Sequence, residues 1–103
     1  MFVAKVTGTV VTTQKVEQMA GRKLLIVDPL RVDEENSAMV STGRTFVAVD
    51  SVGAGREDVV LVTQGSSARM TTTTGDAPVD CVIIGIVDSI HALGKEAYCK
   101  ARA

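Results

Sequence analysis

The chain has 103 residues, enough for one domain with an ordinary core and little more. Its 11 Lys and Arg against 12 Asp and Glu leave a net charge of −1, with no long run of one sign. That argues against affinity built on neutralising phosphates or an anionic membrane. Apolar residues make up 46% but aromatics only 3%, so Val and Ile carry the apolar content, as in strands packed by branched aliphatics.

Two cysteines, Cys81 and Cys99, do not make a disulfide framework, and Cys81 sits in an apolar run where a reduced thiol packs as a small hydrophobe. Lys5 and Thr7-Gly8-Thr9 interrupt any secretory h-region. The apolar stretches fall far short of the roughly 20 residues that span a bilayer. The expectation is a reduced, cytosolic, soluble protein.

In chain order, Phe2 to Val11 alternates, with Phe2, Ala4, Val6, Gly8 and Val10 on one face and Lys5, Thr7 and Thr9 on the other: a strand with one wet side. Leu24-Leu25-Ile26-Val27 predicts a second strand, closed by Asp28-Pro29. Arg31 to Arg44 is polar and charged and reads as a long exposed loop. Phe46 to Val49, Val59 to Val62 and Cys81 to Val87 (running on as far as Ile90 at most) predict three more strands. After the fourth, Ser66 or Ser67 can N-cap one helical turn over Ala68-Arg69-Met70. Thr71 to Gly75 is a polar low-complexity loop, residues 91–103 form a C-terminal tail, and its Ala/Lys-rich part from Gly94 could be helical, a short strand or frayed. The fold expected is all-β, a five-stranded OB-like barrel with one short helical insertion, in a single domain over 1–103.

Barrel strands alternate inward and solvent-facing residues. Leu24–Val27, Val59–Val62 and Val82-Ile83-Ile84 are instead apolar on both faces, the pattern of sheets covered on both sides. With almost no helix to provide cover, it must come from another copy of the chain, or from the tail and the 31–44 loop folding back. Each fully buried Val, Leu or Ile is worth about 1.5–3 kcal/mol, which makes leaving such a face bare costly.

No constellation supports catalysis, a metal or a cofactor. Val52-Gly53-Ala54-Gly55 lacks the third glycine and following helix of a dinucleotide loop, so it reads as a tight turn between strands. Gly65-Ser66-Ser67-Ala68-Arg69 offers a serine but no base. His91, the single histidine, reads as a structural or surface residue. Asp50, Asp80 and Asp88 sit near strand ends, where Asp caps turns. One histidine and two separated cysteines match no metal-site spacing. A nucleic-acid groove needs stacking aromatics and basic charge, which this composition scarcely supplies. An OB-like module for nucleic acid or a protein partner remains the alternative.

Several segments together resemble the EutN/CcmL family of pentameric bacterial microcompartment vertex proteins. They are Lys5–Val11 with Thr13 and Lys15, Gly21 with Lys23-Leu24-Leu25, Val47–Gly55, Gly65–Arg69, Pro78-Val79-Asp80 and Gly85-Ile86-Val87-Asp88. The resemblance covers residues 2 to 90. It implies an OB-like barrel, a cyclic homopentamer, no catalytic residues, and a place at the corners of an icosahedral shell (carboxysome or metabolosome). Hexameric shell proteins would lie at the pentamer edges and enzymes inside, with neither nucleic acid nor membrane as partner. The motifs assign Gly53, Ala54, Gly55, Ser66, Ser67 and Arg69 to subunit contacts or the axial pore region. Where the family commonly has one residue and then Gly-Glu after VGAG, this chain has Arg56 and then Glu57-Asp58.

Overall fold

The computed structural model describes residues 1–13, 16–19, 21–65 and 80–102. Its strands are β1 (Phe2–Val10), β2 (Lys23–Asp33), β3 (Ala38–Ser41), β4 (Phe46–Asp50), β5 (Val59–Gln64), β6 (Cys81–Ile86), β7 (Ser89–Ala92) and β8 (Lys95–Cys99). Among the described residues helical structure is confined to 3-10 turns at Glu17–Met19 and Lys100–Arg102. The turn expected at Ala68–Met70 lies outside the described residues.

Five strands close on themselves in the order β1-β5-β6-β4-β2 and back to β1, with β4 and β6 parallel and the other pairs antiparallel. The closed barrel is the one the sequence led us to expect. β1 serves both neighbours because it bends. It pairs β5 over Phe2–Lys5 and β2 over Ala4–Val10, and its register slips between Val6 and Gly8, a bulge that increases local twist. The core follows from the alternation: Ala4 and Val6, Leu25 and Val27, Ala48, Val60 and Val62, and Cys81 and Ile83 point inward and are buried. Phe2, Phe46 and Ile86 pack against this cluster.

Two expectations need correction, and a third, the tail left open between helix, short strand and fraying, is decided. β2 does not stop at Asp28-Pro29; it runs on to Asp33 and folds back as β3, so most of the supposed 31–44 loop is a hairpin. Pro29 is tolerated because it lies where β2 passes from pairing β4 (through Val27) to pairing β3 (from Leu30). Its carbonyl still accepts the Thr42 N–H at 3.1 Å. The tail is a second hairpin, β7–β8, turned at Leu93 and Gly94, both in the left-handed region. It packs on β3. The fifth expected strand therefore ends at Ile86 rather than continuing to Ile90.

Among the described residues, the two-sided apolar strands are only partly covered by their own chain. Val49 and Val82, on the outer face, are buried beneath Met19, Leu24 and Ile84. Of that cover Met19 comes from the 16–19 segment, and Leu24 and Ile84 from the barrel strands themselves. Ile26, Leu61 and Ile84 stay partly exposed, and Val47 is 50% exposed.

Candidate subunit-contact site

Residues 51–58 connect β4 to β5, and the chain fixes them at several points. Asp50 ends β4, and its Oδ1 accepts the Val52 N–H at 3.0 Å, the strand-end cap expected of it. Lys23, its cross-strand partner at the start of β2, brings Nζ to 3.5 Å from Asp50 Oδ2 and donates to the Ala54 carbonyl at 2.6 Å. The Asp50 side chain is 2% exposed, so Lys23 answers a charge that water cannot reach. The Ser51 hydroxyl donates to the Ile83 carbonyl at 2.6 Å. Gly55 N–H donates to Asp58 Oδ2 at 2.9 Å, and the Glu57 N–H to the Val6 carbonyl at 3.0 Å, tying the far end to β1.

Within this turn Gly53 has φ +80°, which an L side chain adopts at a cost, and a Cβ there would meet nothing within 4 Å. The glycine is required by backbone conformation, and the space beside it is open. Ala54 is fully buried, its methyl in the barrel core and its carbonyl on Lys23, so it has nothing to offer a neighbour directly. Ser66, Ser67 and Arg69 lie outside the described residues. Their stem is visible: Gly65, at φ +69°, donates its N–H to the Asp80 carbonyl at 2.8 Å. The segments that lead to the two groups touch opposite edges of β6: Ser51 reaches Ile83 on the β4 side, and Gln64 pairs with Cys81 on the β5 side.

Sequence reasoning missed a groove of about 860 Å³ between β1, the β2–β3 hairpin, residues 57–59 and β8. Leu30, Met39 and Val59 give it apolar walls, and Tyr98 and Lys100 close one side. Lys5 pairs with Glu57 there at 3.0 Å, and Lys100 lies 3.9 Å from Asp58. Glu57 holds φ +76° to do so, in the position where the family commonly has glycine.

The remaining reactive side chains have structural surroundings. Burial, with the Asp80 charge second, pushes the Cys81 thiol above its ordinary 9.0, the opposite of an activated nucleophile. His91 is a surface residue opposite Glu96 in the tail hairpin, with Nε2 3.9 Å from the carboxylate. Among the described residues no group of three or more His, Cys, Asp or Glu could hold a metal.

The family model described as "Ethanolamine utilisation protein EutN/carboxysome" matches residues 1–88. The chain is 42% identical over 93 residues to the bacterial microcompartment shell vertex protein GrpN of Rhodospirillum rubrum, covering 90% of this chain and 99% of that one. It is 44% identical over 90 residues to the vertex protein PduN of Salmonella typhimurium, covering 87% and 98%. The Gloeobacter violaceus CcmL structure superposes with a TM-score of 0.85 at 36% identity, covering 98% and 99%. The GrpN structure, described as a pentameric microcompartment shell protein, gives 0.73 at 41% identity over 90% and 99%. These relatives are shell proteins by name, and none is an enzyme. On this match of sequence and barrel over nearly its whole length, the chain belongs to the EutN/CcmL family.

Proposed function

We propose that the chain is a non-catalytic shell subunit whose homopentamer caps the vertices of an icosahedral bacterial microcompartment in the cytoplasm. The observation that carries this reading is the 42% identity to a named shell vertex protein that forms a pentamer, sustained over 90% of the chain. The physics agrees. A ring of five needs heterologous contacts, one face of each subunit meeting a different face of the next. The partly exposed Ile26, Leu61 and Ile84 and the exposed Val47 supply apolar surface for such contacts. The open side of Gly53, with Gly55, Ser66, Ser67 and Arg69, would serve subunit contacts or the axis. Hexameric shell proteins at the pentamer edges and enclosed metabolic enzymes complete the proposal.

The alternative, an OB-like nucleic-acid or protein-binding module, lacks a stacking platform. The Phe2 and Phe46 rings lie 5.7 Å apart and pack on the core, and Arg44 already covers Phe46.

A net of six-fold units closes only where five-fold units are inserted, which sets the test. Co-expression with the hexameric shell proteins should give closed polyhedral particles in electron micrographs, and omitting this chain should leave sheets or open tubes. Closed particles that form equally well without it would sink the proposal.

A further inference from the structure

The groove carries two features that bring the single chain no visible return. Asp28 stands directly opposite Lys5 across the β1–β2 pair, yet the Lys5 ammonium is turned to Glu57. One oxygen of Asp28 accepts the Ser41 hydroxyl at 2.5 Å; the other, Oδ1, is buried and has no hydrogen-bond donor among the described residues. Glu57 draws Lys5 away from a backbone in the left-handed region, the kind of conformation that persists where surrounding structure or function demands it. Of the five charged side chains lining the groove, Lys5 and Lys100 answer Glu57 and Asp58. Asp28 is the charge left over.

We infer that this groove is the receiving half of the contact between neighbouring copies, taking a lysine or arginine side chain of the second copy onto the Asp28 carboxylate. The inference rests on the homopentamer reading above and names the face involved. A heterologous contact joins two different faces, so a recess on one is expected. Leu30 and Met39 give a long basic side chain apolar walls for its stem, while its head meets the unmatched carboxylate. The same chain carries exposed cations, Arg56 and Lys95, with no ion-pair partner among the described residues, so a second copy can bring the charge the groove lacks. A carboxylate oxygen can accept two hydrogen bonds, so Oδ2 can take the guest while it keeps the Ser41 hydroxyl.

Sedimentation velocity over a dilution series tests this, comparing wild type with Asp28→Asn and Asp28→Lys. The isosteric Asp28→Asn should raise the concentration at which pentamers dissociate by about tenfold or more, because a charged partner is then left without its counter-charge. Asp28→Lys should sediment as a monomer with an unchanged far-UV circular dichroism spectrum. Should the lysine variant fail to fold, the asparagine variant decides alone. Pentamers of Asp28→Asn dissociating at the wild-type concentration would overturn the inference and leave the groove to another occupant. A wild-type monomer would overturn the pentamer reading itself.

Discussion

Glu57 offers a clean test of how the turn after β4 is held. Its φ of +76° lies where a Cβ crowds the backbone, a strain of roughly 1–2 kcal/mol that glycine does not suffer. Its carboxylate pairs with Lys5 at 3.0 Å, but the two side chains are 67% and 45% exposed, so solvent screening holds the pair to about 0.2–1 kcal/mol. Glu57→Gly and Glu57→Ala both remove the pair, and their difference isolates the backbone term. Glycine recovers the strain but loses part of it to the greater freedom of the unfolded chain, leaving it ahead of alanine by about 1 kcal/mol. Against wild type, Glu57→Gly should be neutral or slightly stabilised and Glu57→Ala destabilised by about 0.5 kcal/mol. The assay is urea unfolding followed by circular dichroism, at one fixed protein concentration because assembly shifts apparent stability. Equal midpoints for the two variants, or alanine above glycine, would refute the account.

Lys23→Met should cost about 2 kcal/mol, since it leaves the Asp50 carboxylate enclosed without its cation and the Ala54 carbonyl without its donor; a thermal melt within a degree of wild type would contradict this. Alkaline pH should weaken the fold. Burial and Asp80 push Cys81 above 9.0, and burial and Asp58 push Tyr98 above 10.0, so the folded chain keeps protons that the unfolded chain releases. Stability is then level below about pH 8 and falls as pH rises through 9 and beyond, and Cys81→Ala should flatten part of that fall in urea midpoints taken between pH 7 and 10.5. Arg69→Glu should weaken assembly; pentamers of undiminished abundance in gel filtration at low micromolar concentration would remove that residue from the proposed contacts.

The barrel was legible wherever a strand feeds the common core. Phe46–Asp50 and Val59–Gln64 begin where their apolar runs begin, because each contributes Ala48, or Val60 and Val62, to one enclosed interior. The hairpins were not legible, because neither encloses anything. β2 beyond Pro29 carries Arg31 and Asp33, β3 is only four residues long, and Asp33-Glu34-Glu35-Asn36 looks like loop, although Asp33 in fact accepts the Glu35 N–H and the Asn36 amide to cap a tight turn. A faint signal was present in Leu30-Arg31-Val32-Asp33, which alternates as a strand should. At the site, Asp50 and Gly53 could be read locally, since turn chemistry spans a few residues. The link from Lys23 to Ala54 could not, because it joins positions 31 apart in sequence that only closure of the barrel brings together. The same holds for Lys5, Asp28 and Glu57 in the groove, where three separate segments meet.

The central claim is that this chain closes on itself in a ring of five. Native mass spectrometry of the purified protein measures that directly. The account predicts one dominant species at five times the 10.8 kDa chain mass, persisting at micromolar concentration. A stable monomer, or a ring of any other number as the dominant species, would contradict it.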